Sequence, residues 1–175
     1  MMEHEHIAEA APTDRESALD RDDKLELRVW LRLLTCANLI EGRVRAGLRE
    51  TFSITLPRFD LLAQLDRAPD GLTMGELSDR LMVSNGNITG LVDRLVAEGL
   101  IARAPSPDDR RRSRVKLTQA GKRAFDAMTP VHERWIDELL AGLTRAEMAE
   151  LLALLAKLKR SVQAAENVGK QKESK

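Results

Sequence analysis

Between residues 73 and 118 the hydrophobic period switches from helical to alternating, and that order of elements narrows the available folds more than any other feature of the chain. Thr73-Met-Gly-Glu76 has capping-box spacing, in which the Thr hydroxyl and the Glu carboxylate satisfy reciprocal backbone N–H groups at a helix start. It predicts a short helix from Met74 to Leu81. Ser84 is placed to cap a second helix, and Ile88, Leu91, Val92 and Leu95, at i, i+3, i+4 and i+7, give that helix one buried face. It ends at Glu98-Gly99, with Gly as the C-cap. Leu77 and Leu81 are available to pack the two helices together. Next, "LIARAP" and "RSRVKLT" alternate in part and flank the turn-rich "SPDDRR", which predicts a two-stranded hairpin over 100–105 and 112–117. Helix, tight turn, helix and a hairpin with a basic tip make the plan of a winged helix-turn-helix.

In that plan the second helix enters the DNA major groove with its N-terminal residues at the base edges, and the hairpin reaches the adjacent minor groove, whose negative potential attracts Arg. The second helix, "MVSNGNITGLVDRL" in its context, holds two glycines four residues apart, Gly86 and Gly90. Each costs ~1 kcal/mol relative to Ala in a helix interior. Both fall opposite the apolar stripe, where absent side chains let a backbone approach bases and phosphates. Around them Ser84, Asn85, Asn87, Thr89 and Arg94 are the candidate readers. Asn can bond adenine bidentately. Asn85 or Asn87 can equally serve as helix-start residues that satisfy backbone groups.

Net charge is zero, with Lys+Arg 28 and Asp+Glu 28, but the charges are unevenly placed. Acids crowd residues 1–26, whereas Arg103, Arg110, Arg111, Arg112, Arg114, Lys116, Lys122 and Arg123 meet only Asp108 and Asp109 over 103–123. This basic patch is a footprint for a polyanion; a solvated charged face is its plainer reading. No stretch of 18 apolar residues occurs, so no membrane span is expected. The start "MMEHEHIAEAAPTDRE" has neither a basic n-region nor an apolar h-region, and a cytoplasmic protein is expected. With Cys36 alone, no intrachain disulfide framework is possible.

The remaining chain reads as helices. Residues 1–20, acidic and aperiodic, are expected to form a disordered tail. A long helix over about 22–50 carries Trp30, Leu33, Leu34, Ala37, Val44 and Leu48 on one stripe, and Pro57 opens a further helix that reaches about Arg67. "APDG" is a turn. Thr118 can cap a helix running to about 141, with Phe125, Met128, Val131, Trp135 and Leu139 inward and Pro130 as a kink. Thr144-Arg-Ala-Glu147 is a second capping box, and Met148, Leu151, Leu152, Leu155, Leu158 and Val162 mark the last helix. Residues 167–175 read as a fraying, disordered tail. The fold class is therefore mainly α with a small β-hairpin, a winged helix-turn-helix at 55–118 flanked by long helices at 21–54 and 119–166.

From Leu56 to Gly121 the chain resembles the MarR (multiple antibiotic resistance regulator) family of bacterial transcription factors. The stretch "LTMGELSDRLMVSNGNITGLVDRLVAEGLIAR" and, more specifically, "DDRRRSRVKLTQAG" carry the resemblance. An Asp, two basic residues, Val-x-Leu-Thr and a Gly recur in that family at the wing and the start of the next helix. The resemblance implies a homodimer whose flanking helices interleave, a double-stranded operator as partner, and repression as the default. It makes Arg111 the minor-groove arginine, with Arg110 as the alternative, and gives Asp109 the part of orienting an Arg. Position 90 often carries an Arg in MarR relatives, so Gly90 removes an Arg–guanine contact and leaves reading to the other candidates. The physics points the same way. Apolar stripes at 22–50, 119–141 and 144–166 are too extensive for one small winged domain to cover, and a two-fold dimer places its readers ~34–36 Å apart.

The resemblance also implies a small effector bound between the dimerisation helices and the winged domain. Trp30, Phe52, Phe59 and Trp135 are the candidate apolar walls, each with plain core as the competing role. Arg28, Arg32, Arg43 and Arg58 can meet an anion, or simply face solvent. "LPRFDLLAQLDRAPDGLTMGELSDRLMVS" also resembles the branch governing aromatic-acid catabolism, which implies an aromatic acid or its CoA thioester. Some relatives sense peroxide through a cysteine near the start of the first helix. Cys36 lies further along, no Tyr exists to orient a thiolate, and a small buried residue is expected there.

Enzymatic signatures are missing. His4, His6 and His132 are scattered, and no HExxH, CxxC, GxSxG or phosphate-binding Gly loop occurs. The His4-x-His6 pair is a weak metal signal in an aperiodic tail, so neither metal nor cofactor is expected. The competing function is a winged-helix module for protein contacts or non-specific DNA coating without ligand control.

Overall fold

Both capping boxes form as their spacing requires, and they fix two helix starts. Glu76 N donates to Thr73 Oγ1 at 3.2 Å and Thr73 N donates to Glu76 Oε2 at 2.7 Å. At the second box, Thr144 N reaches Glu147 Oε2 at 2.8 Å and Glu147 N reaches Thr144 Oγ1 at 3.3 Å. The computed structural model describes residues 25–105 and 113–173, with Asn85 and 168–173 by backbone alone.

In order, the elements are α1 (Leu25–Phe52), α2 (Leu56–Asp66), β1 (Leu72–Thr73), α3 (Met74–Leu81), α4 (Asn85–Ala97), β2 (Ile101–Pro105), β3 (Ser113–Leu117), α5 (Gln119–Leu140) and α6 (Arg145–Glu173). The fold is mainly helical with a small antiparallel sheet of order β1-β3-β2. β2 and β3 pair from Ile101↔Leu117 to Pro105↔Ser113, the hairpin expected from the alternation. β1 is an addition to the expected pattern: Leu72 and Thr73 pair with Val115 and Arg114. Gly71, at φ 79°, turns the chain onto β3, where Arg114 Nη1 donates to the Gly71 carbonyl at 2.9 Å.

Two compact units are formed, one ending at Trp135 and one starting at Ile136. In the first, Leu48, Leu61, Leu62, Leu65, Leu77, Ile88, Val92, Leu95, Ile101 and Val115 make the core. Phe59 is buried within it, stacked against Phe125 at 5.5 Å and His132 at 4.8 Å. Trp135 packs against Phe52 at 6.4 Å and lies over Gly47, where an added Cβ would come within 2.8 Å of the indole.

The expectations for Cys36, Leu139 and the end of α6 need correction, whereas the long apolar stripes are only partly covered, as expected. On α1 the stripe is buried only in its later half, at Val44 and Leu48, while Trp30, 55% exposed, and Leu34 face outward. Among the described residues, no other part of the unit covers the first turns of that helix. Cys36 is exposed for the same reason, not buried as expected. Leu139 is exposed rather than inward. α6 continues to Glu173, past the end expected at 166, because "NVGKQKE" contains no Pro and is rich in helix-forming Gln, Lys and Glu. Leu151, Leu152, Leu155, Leu158 and Val162 on α6 are all exposed. Among the described residues no helix is long and apolar enough to cross a membrane.

Candidate nucleic-acid interface

The turn between α3 and α4 is held from inside. Ser78 Oγ donates to the Val83 carbonyl at 2.5 Å, and Val83 N donates back to the Ser78 carbonyl at 3.2 Å. Between them Met82 adopts a left-handed conformation, φ 53°, with its side chain 92% exposed. Ser84 then opens α4 in an extended conformation. Its hydroxyl makes no capping hydrogen bond, so the start is fixed by backbone geometry and the Ile88 N to Ser84 carbonyl bond of 3.1 Å.

Ile88, Val92 and Leu95 bury one side of α4 completely, and Leu91 is half-buried. That arrangement forces Gly86 and Gly90 to the centre of the opposite, open side, where nothing lies within 4 Å of a built Cβ. Asn87, Thr89, Asp93 and Arg94 are exposed around them. Asn85 stands at the first position of the helix. Thr89 already takes part in an interaction, so it does not stand free on this surface.

Beside α4, Arg103 on β2 donates to Asp93 Oδ1 at 2.6 Å. The β2–β3 hairpin is thereby tied to the open face of the helix. Residues 106–112 lie outside the described residues, and with them Asp108, Asp109, Arg110, Arg111 and Arg112. The base of the hairpin is locked to α5. Thr118 Oγ1 donates to the Gly99 carbonyl at 2.7 Å and accepts from Gly121 N at 3.0 Å. Gly121 passes so close to Leu100 that a Cβ there would fall 1.9 Å from its carbonyl oxygen. The Val-x-Leu-Thr…Gly pattern therefore has one physical meaning: a buried Val115, a hydroxyl cap and a backbone contact only glycine permits.

This is the geometry of a winged helix-turn-helix, and the comparisons with known proteins agree with it. The MarR family model matches residues 52–112. The transcriptional activatory protein BadR of Rhodopseudomonas palustris is 31% identical over 144 residues, which cover 78% of this chain and 81% of BadR.

The chain belongs to the MarR family.

Within that family of winged-helix transcriptional regulators, the repressor NicR of Pseudomonas putida is 37% identical over 109 residues, 62% of this chain and 66% of NicR. A solved MarR-family regulator from Silicibacter pomeroyi is 36% identical with a TM-score of 0.67, covering 78% of this chain and 94% of that one. A mutant E. coli MarR complexed with operator DNA is 31% identical, also with a TM-score of 0.67, covering 78% and 99%. The relatives are transcriptional regulators, not enzymes.

The other MarR-type candidates fall in separate places. Arg28 and Arg32 line a hollow of about 120 Å³ with Leu25 and Val29 on α1, and Trp30 of the same helix is exposed outside its lining. Phe59 is core, and Trp135 backs Phe52. Phe52 lines a cleft of about 470 Å³ with Ser53, Ile54, Arg58, Glu98, Leu100, Ala124, Ala127 and Met128. Of the charged candidates, Arg58 lines the same cleft as the candidate aromatic Phe52. Glu98 was absent from the candidate residues. It pairs with Arg58 across 40 positions of sequence, a separation no local pattern reveals.

Proposed function

We propose that this chain is a homodimeric repressor that binds a pseudo-palindromic operator in double-stranded DNA and is released by a small aromatic acid or its CoA thioester. The open side of α4 carries the DNA half of the reading. Gly86 and Gly90 leave a shallow, side-chain-free strip ringed by Asn87, Thr89 and Arg94, with Ser84 and Asn85 at its leading end. A major groove admits a helix whose own side chains do not hold it off. Arg111, with Arg110 and Arg112 beside it, is assigned to the minor groove from the sequence of the hairpin tip.

Dimerisation is supported by apolar side chains left exposed among the described residues: Leu25, Leu27, Val29 and Trp30 on α1, and Leu151, Leu152, Leu154 and Leu155 on α6. The flanking segments 21–54 and 119–166 are the proposed dimerisation domain and 55–118 the DNA-binding domain. The E. coli relative bound to operator DNA supports the same partner here. Repression follows NicR; BadR, whose name denotes an activator, makes the sign of regulation part of the test. The proposed compartment is the cytoplasm, where the operator is.

A gel-shift titration against the DNA upstream of the chain's own coding region, with unrelated DNA as competitor, tests the reading. A discrete complex that resists competitor is expected, and Arg111→Ala should weaken it and flatten its salt dependence. Equal loss to unrelated DNA, or no complex at all, would leave the protein-contact or DNA-coating module in its place.

A further inference from the structure

Among the described residues, the large hydrophobic side chains left exposed lie on α1, α5 and α6, with one exception. The exception is Met82, in the turn between α3 and α4, which is 92% exposed. A lone hydrophobic residue on a surface is ordinary. The backbone beneath this one is not. Met82 is the C-cap of α3 at φ 53°, ψ 39°, a left-handed conformation that glycine or asparagine adopts with less strain. Gly would close the same turn, so the fold itself gains nothing from a long apolar side chain there. Strain kept at a position of no packing value points to a contact made outside the fold.

The turn presents that side chain from a fixed point. Met82 N donates to the Asp79 carbonyl at 3.3 Å, and the Ser78 Oγ bond to the Val83 carbonyl, 2.5 Å, braces the turn from inside. Leu77 and Ile88, in the helices on either side, are fully buried. The position is at the leading end of α4. Met82 stands two residues before Ser84, so their Cα atoms are separated by no more than about 7.6 Å. Beyond Ser84 the surface is low, because Gly86 and Gly90 project nothing. A groove that comes down onto those glycines brings its base edges within reach of an apolar side chain at that end.

The major-groove edges of the bases carry one apolar group, the C5-methyl of thymine. We infer that Met82 is a specificity-determining residue whose side chain packs on the C5-methyl of a thymine, at the end of the half-site met by the start of α4. The inference rests on the reading of α4 as the DNA-facing helix and adds an apolar contact to its polar readers. Leu81 and Val83, the neighbours of Met82, are half-buried, so the exposed apolar surface here is one side chain wide. That matches a single methyl group and falls far short of the area a stable protein partner buries. The flexible, polarisable thioether suits an uneven groove edge.

The test removes the methyl groups. The DNA upstream of the chain's own coding region is prepared with thymine partly replaced by uracil, which differs from it at C5 alone. Full-length wild type, Met82→Gly and Met82→Leu are each gel-shifted with it, and uracil positions are mapped in bound and free fractions by uracil excision. The wild-type complex should be depleted of uracil at one or more thymines in each half-site. Met82→Gly should lose that depletion and bind all-thymine DNA at least about fourfold more weakly, the scale of burying one methyl group. Its Tm should be no lower than that of the wild type, which sets a lost contact apart from a damaged fold. Met82→Leu, still apolar, should keep the depletion. Wild-type affinity in Met82→Gly, or weaker binding with an unchanged uracil pattern, overturns the inference. A discrete wild-type complex without methyl dependence overturns it alone, whereas absence of any discrete complex overturns the proposed function and this inference with it.

Discussion

Arg103 Nη2 of β2 lies 2.6 Å from Asp93 Oδ1 of α4, joining the wing strand to the helix proposed to read DNA. Both side chains are well exposed, at 41% and 60%, so the pair adds at most ~1 kcal/mol to stability. Its larger effect is on charge. Asp93 stands on the open side of α4, and an unneutralised carboxylate there would repel phosphates. Arg103→Gln is expected to lower operator affinity about tenfold, with Tm shifted by no more than ~4 °C. Adding Asp93→Asn should restore most of the loss. An Asp93→Asn single variant that binds as poorly as Arg103→Gln would show that the pair acts by holding the strand instead.

Gly90 is open space on an exposed helix face, so any side chain can be accommodated there. Gly90→Arg should leave the fold intact and stabilise α4 by up to ~1 kcal/mol through helix propensity. Its effect on DNA should be different in kind, because an Arg at that place can bond guanine O6 and N7. Selection of binding sites from a random pool should return a guanine-shifted preference. An unchanged preference would count against placing α4 in the groove.

The helix-turn-helix and its wing were legible in the sequence because their signals are local. Capping boxes at Thr73 and Thr144, the stripe from Ile88 to Leu95 and the alternation around "SPDDRR" each lie within a few residues. β1 was not legible, because a two-residue strand has no period to show and exists only through its pairing with Val115 and Arg114. Trp30 and Cys36 show a second limit. Periodicity says which residues share a face of α1, and cannot say what covers it. The Arg58–Glu98 pair is a third case, in which the cleft depends on contacts between α2 and the end of α4 that only folding brings together.

Two backbone positions should respond in opposite directions to changes of one residue. Met82 pays the left-handed strain of a non-glycine residue while its side chain touches almost nothing. Met82→Gly should therefore stabilise the fold by about 0.5–1 kcal/mol. Gly121→Ala should destabilise it by more than ~2 kcal/mol, since a Cβ 1.9 Å from the Leu100 carbonyl forces α5 away from the hairpin base. Urea denaturation of both variants checks the pair. A neutral Gly121→Ala would mean that α5 can shift without cost to the packing of Phe125 on Phe59.

His132 stacks on Phe59 at 4.8 Å, and burial holds its imidazole below the ordinary value of 6.5, against the smaller opposing pull of Glu133. The unfolded chain therefore binds a proton at this residue more readily than the folded one, and stability must fall as pH drops below 6.5. Glu76 and Glu147, both lowered by hydrogen bonds from Thr73 and Thr144, lose their contributions only as pH falls below 4.5. Asp60 is raised by burial and by Glu41, so acidification favours its folded form and it has the wrong sign to supply a loss. Among the described residues, then, His132 is the group that supplies a loss in the window from about 6.5 down to 5. Thermal unfolding followed across it should show a falling Tm in the wild type and a shallower fall in His132→Phe, which keeps a ring against Phe59. Equal slopes in the two proteins would place the titrating group elsewhere.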